Sequence, residues 1–129
     1  MKAVKITLAG QEYYLLFNGA AMFEFEDSFG GSNAYFDKSA GSGRESFDAT
    51  CKAVSILAQQ GELARRALGY DKGPMLSEET VRACTTPLES VALRRAAGNA
   101  IIAGYGREVE SDEDVDLGLV ELEQKKTRN

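Results

Sequence analysis

The chain has 129 residues, 43% of them hydrophobic and 27% charged, which suits one globular domain and leaves too little for two cores. Its net charge of −5 is local, because residues 107–129 hold eight acids against four bases and the remainder is almost neutral. An acidic chain without a basic stripe is ill suited to a nucleic-acid backbone, and the absence of histidine removes the commonest general base and metal ligand together.

Residues 3–8, AVKITL, alternate with Val4, Ile6 and Leu8 on one face and Lys5 and Thr7 on the other, the period of a half-buried strand. Gly10-Gln11 is expected to turn the chain, and EYYLLF at 12–17 to return as the second strand of a hairpin. No long apolar run marks the N-terminus as a signal peptide or membrane helix. Asn18 then offers a helix cap, with Met22, Phe25 and Phe29 at helical spacing behind it and Gly30-Gly31 as the stop. This helix is expected to cover the hairpin, which is marginal alone.

Residues 31–46, GSNAYFDKSAGSGRES, are polar and small apart from Tyr35-Phe36, and read as an irregular segment anchored by that pair. Its SAGSGRES fragment lacks the Gly-Lys-Ser/Thr ending of a phosphate loop. A helix is predicted over about 47–60, with Phe47, Cys51, Val54 and Leu57 on one stripe and Gly61 interrupting it before ELARRAL. Cys51 and Cys84 both fall in apolar helical patterns and read as buried, reduced thiols of a cytoplasmic protein. GYDKGPM is a turn, and Ser77 caps a short helix with Glu78 and Glu79 in its first turn. Thr86-Pro87-Leu88-Glu89 combines a capping hydroxyl, an N1 proline and an N3 glutamate. The helix it starts, about 87–103, carries a small-residue stripe of Ala92, Ala96, Ala100 and Ala103, with Leu88, Val91 and Ile102 on another side. Apolar on two sides, it is expected to be central in the domain or in an oligomer.

Asp112, Asp114 and Asp116 alternate like calcium ligands, with Glu123 at the twelfth position counted from Asp112. A calcium loop needs glycine at its sixth position and an oxygen ligand near its ninth, whereas Leu117 and Val120 stand there. No metal or other cofactor is expected, and no nucleophile elbow, zinc spacing or dinucleotide fingerprint points to an enzyme. Leu117, Leu119 and Leu122 instead give residues 107–129 more apolar content than a solvating tail needs, as in segments that dock on a partner. The expected architecture is α+β and helix-dominated: a hairpin packed on a small helical bundle over 1–106, then a flexible acidic tail over 107–129.

The hairpin, the segment LLFNGAAMFEFEDSFG, the helical middle and the ending DEDVDLGLVELEQKK together resemble the tail assembly chaperones of long-tailed bacteriophages and prophages. That resemblance implies a protein of the bacterial host cytoplasm that binds and solubilises the tape measure protein and helps recruit tail tube subunits. It also implies a longer form made by frameshifting, with which Lys125-Lys126 is compatible. Expected contact residues are Met22, Phe25, Phe29, Leu88, Val91, Ala92, Ala96 and Ala100 on the helices, and Asp112, Asp114, Asp116, Leu117, Leu119 and Leu122 in the tail. Partners are then a tape measure protein, a tube protein and a second copy of the chain, without nucleic acid or membrane. The competing expectation is a small acidic regulator, a decoy for a basic partner.

Overall fold

The computed structural model describes residues 1–106 and, as backbone, 114–116. An N-terminal hairpin of β1 (Lys2–Leu8) and β2 (Gln11–Leu15) packs on helices, and the fold is helix-dominated α+β, as the patterning predicts. Val4 pairs with Leu15 and Ile6 with Tyr13, which puts these apolar side chains on one buried face. The turn sits one residue earlier than expected. Ala9 and Gly10 occupy it with φ of 51° and 79°, and two consecutive positive φ angles match the twist of the flanking strands.

Helix α1 (Gly19–Phe29) begins as expected, with Asn18 Oδ1 accepting from the Ala21 N–H at 2.9 Å. It ends on Gly30 at φ 91°, where the Gly30 N–H donates to Glu26 O and the Gly31 N–H to Phe25 O. Residues 32–39 depart from the irregular reading. They form helix α2 (Ser32–Ser39), which has no side-chain cap and few apolar residues. Burial of Tyr35, with half-buried Phe36 beside it, holds that helix in place of local propensity.

Helix α3 corrects two expectations. It runs unbroken from Arg44 to Ala67, through Gly61, and it is the central helix, touching β2 and each of the other four helices. Gly61 marks a close approach, because a Cβ there would lie 1.7 Å from the Tyr14 carbonyl oxygen. Nearby the Leu16 N–H donates to Leu57 O at 3.1 Å, so the helix backbone closes the outer edge of β2 against further strand pairing.

Helix α4 (Glu78–Cys84) is capped by Ser77 Oγ, and α5 (Pro87–Gly104) by the full capping box. Thr86 Oγ1 accepts from the Glu89 N–H, and Glu89 Oε1 accepts from the Thr86 N–H, each at 3.2 Å. Of the two cysteines, Cys51 is buried but Cys84 is exposed, against the expectation for it. The backbone of residues 114–116 forms β3 (Asp114–Asp116), antiparallel to β1, giving the order β2-β1-β3. Asp114 thus lies opposite Val4 and Asp116 opposite Lys2, in extended backbone instead of the tight curl of a calcium loop. The rest of the expected flexible tail lies outside the described residues.

Candidate functional site

Helix α5 has one face in the core and one in solvent. Leu93, Ala96, Ala97, Ala100 and Ile101 are buried, and the three alanines let the helix lie close to its neighbours β1 and α3. At its end, a Cβ on Gly104 would stand 2.4 Å from Phe17 O, so glycine is needed for that approach too. The opposite face presents Leu88, 84% exposed, with Val91, Ala92, Arg95, Ile102 and Tyr105 also exposed. Burial of large apolar side chains is favourable by about 1.5–3 kcal/mol each, so several left in solvent on one helix face mark an interaction surface better than scattered ones do.

Beside the C-terminal half of this face lies a groove of about 550 Å³ lined by Gly30, Gly31, Phe36, Ile101, Ile102 and Tyr105. The Tyr105 ring rests on Phe17, 5.2 Å between centroids, and its hydroxyl lies 3.1 Å from Ser32 Oγ. Arg94 is committed inward, donating to Ser39 O and Gly41 O at 3.0 Å. Arg95 is left as the charge on the outer face.

The expected contact residues divide cleanly. Leu88, Val91 and Ala92 are accessible. Phe25 and Phe29 are not: both are buried in an aromatic cluster with Phe17 and Tyr35 at centroid separations of 5.2–5.5 Å. Ala96 and Ala100 are core residues of the buried face, and Met22 is half-buried against that core. Of the small-residue stripe, Ala96 and Ala100 therefore serve intramolecular packing, Ala103 is half-buried and Ala92 is exposed. Asp114 and Asp116 stand in β3, while Asp112, Leu117, Leu119 and Leu122 lie outside the described residues. Tyr105, Phe36 and Ile102 were not among the expected contacts. The signal for Ile102 and Tyr105 was their spacing from Leu88, which continues the outer face past Gly98.

Two ionic clusters complete the described surface and interior. Arg82 bridges Asp48 and Glu78, and its hydrogen bond is the main reason that the Asp48 carboxyl lies below the usual range. Lys38, Arg44 and Lys52 line the same shallow groove. Deeper, the Glu62 carboxylate accepts from Arg65 Nη1 and Arg66 Nε at 2.7 Å and from the Gly73 N–H at 2.6 Å. Burial pushes Glu62 up, but its bonds to Arg66, Gly73 and Arg65 outweigh that and hold it below the ordinary carboxylate value. These bonds pin the loop after α3 and leave the carboxylate saturated. Burial also raises the Cys51 thiol, which is inaccessible at 1% exposure. Among the described residues no group of three His, Cys, Asp or Glu is placed to hold a metal, and no helix is long and apolar enough to cross a membrane. No family model matches the chain, nor does any curated protein or solved structure, which leaves the outer face of α5 as the ground for a functional reading.

Proposed function

We propose that the protein is a phage tail assembly chaperone that shields apolar helical segments of the tape measure protein and helps bring tail tube subunits to it. The observation that carries this reading is the unpartnered apolar face of α5, with Leu88, Val91, Ala92, Ile102 and Tyr105 exposed together. The resemblance of residues 13–30 and 108–126 to that family supplies the identity of the client. An amphipathic client helix laid on this face buries its own apolar stripe and is kept from aggregating. Many weak contacts of this kind along a long client add up through avidity. The acidic residues 107–129 provide solubility and the contact with tube subunits. The shield works by burial alone and requires no cofactor.

Co-expression with the tape measure protein encoded in the same tail cluster tests this. The soluble fraction of that protein is expected to rise several-fold with the native chain. It should return to its unassisted level with the double variant Leu88→Asp/Val91→Asp, whose own melting temperature should stay close to native because both side chains are exposed. A tape measure protein equally soluble with and without the native chain would sink the proposal.

A further inference from the structure

The last strand leaves the sheet at the end where the groove between α5 and the start of α2 lies. Val4 stands between Leu15 of β2 and Asp114 of β3, and both of these strands run antiparallel to β1. Phe17 and Asp116, each two residues further on, therefore leave the sheet at the same end. Phe17 carries the Tyr105 ring, 5.2 Å away, and Tyr105 is one wall of the groove. We propose that the chain's own residues 117–123, LGLVELE, lie in this groove as a strip that covers it.

The strip has the reach. Strands are spaced by about 4.8 Å, so β2 and β3, with β1 between them, are about 10 Å apart. With the step from Phe17 to Tyr105, the groove wall is on the order of 15 Å from Asp116. Five extended residues span about 17 Å, which brings Leu119 and Leu122 within range.

The strip also has the chemistry. Phe36, Ile101, Ile102 and Tyr105 make one side of the groove apolar, while Gly31, Ser32 and Asn33 open α2 on the other. No side chain caps α2, so its first amides lack the partner that a cap supplies. Leu119 and Leu122 suit the apolar side, and Glu121 or Glu123 brings a carboxylate to the amides. The basic run that follows, Lys125, Lys126 and Arg128, suits those amides poorly, which ends the strip before it.

A short tether decides between this segment and the same segment of a second copy. It holds the strip at an effective concentration of about millimolar, above that of a second chain in dilute solution. Ile102 and Tyr105, 36% and 56% exposed, are the side chains that the strip would cover. Leu88, Val91 and Ala92, at the other end of α5, stay open.

Paramagnetic broadening in the full chain reads this out. Cys84→Ser with Gln124→Cys leaves one accessible thiol for a spin label, because Cys51 is buried. The label should broaden the amides of Gly31, Ser32, Asn33, Ile102 and Tyr105 selectively. Adding Leu119→Asp and Leu122→Asp should weaken that broadening several-fold, since both substitutions lie in the strip and outside the core. Broadening spread evenly over the surface overturns the proposal, as does broadening indifferent to the two aspartates. A mixture of isotope-labelled chain without the spin label and unlabelled chain with it should show none. Broadening in that mixture would assign the groove to a second copy and overturn the strip. No client takes part, so either outcome leaves the tape measure test standing.

Discussion

Replacing Gly61 with alanine should destabilise the fold by about 3 kcal/mol, read as a lower midpoint in urea unfolding. The sign is the informative part. In an exposed helix interior the same change stabilises by about 1 kcal/mol, because alanine loses less backbone entropy than glycine. Here the added Cβ would meet the Tyr14 carbonyl oxygen at 1.7 Å and its carbon at 2.7 Å, both backbone atoms that no rotamer change can move. Either α3 shifts away from β2, losing the Leu16–Leu57 hydrogen bond, or the clash remains. Gly98 in α5 gives the contrast, since a Cβ there would meet only Phe36 Cε1, at 3.4 Å. Its change to alanine should be neutral or stabilising. A stabilised Gly61→Ala protein would mean that β2 and α3 do not lie backbone to backbone.

The second large effect is expected at Glu62. Its side chain is 6% exposed and binds two guanidinium groups and the Gly73 N–H, while the Arg65 guanidinium lies between the Tyr14 and Tyr70 rings, 5.1 and 4.9 Å from their centroids. Glu62→Ala should cost about 3–5 kcal/mol, because it leaves Arg65 buried without its counter-charge. The cluster also gives stability a definite acid dependence. The Glu62 carboxyl is held below its unfolded value of about 4.3, so its contribution is complete above that pH and is lost as pH falls through the lower folded value. Urea unfolding of the native chain and of Glu62→Gln at neutral pH and in acid should show a stability gap that narrows in acid. A gap that stays the same from neutral pH down to pH ~3 would mean that the folded protein does not hold the Glu62 carboxyl below its unfolded value.

The parts of the fold that could be read from the chain are those written in local chemistry. Asn18, Ser77 and Thr86-Pro87-Leu88-Glu89 mark helix starts because a cap satisfies amides within three residues of itself, and all three begin helices. The hairpin was legible for the same reason, through the alternation in AVKITL and a glycine at the turn.

What escaped depends on contacts distant in sequence. Gly61 resembles a helix breaker in a window of ten residues, and its reason for being glycine lies at Tyr14. Helix α2 reads as loop because nothing local supports it, and its anchor Tyr35 is secured by Phe25 and Phe29 from α1. The burial of Phe25 and Phe29, and of Ala96 and Ala100, follows the same pattern. Periodicity identifies an apolar face but not what covers it, and here the chain itself does. Leu88 and Val91 remained accessible because the hydrophobic face of α5 that enters the core is a different one, centred on Ala97 and Ala100.

Site-specific photo-crosslinking during co-expression with the tape measure protein asks whether the outer face of α5 is where a helical client is held. A photoreactive residue at position 88 should give a crosslinked product containing the tape measure protein. The same residue at position 63, where Leu63 is also exposed but belongs to α3, should give none. Crosslinks from position 63 alone, or equally from both, would contradict the assignment of α5 as the client-holding surface.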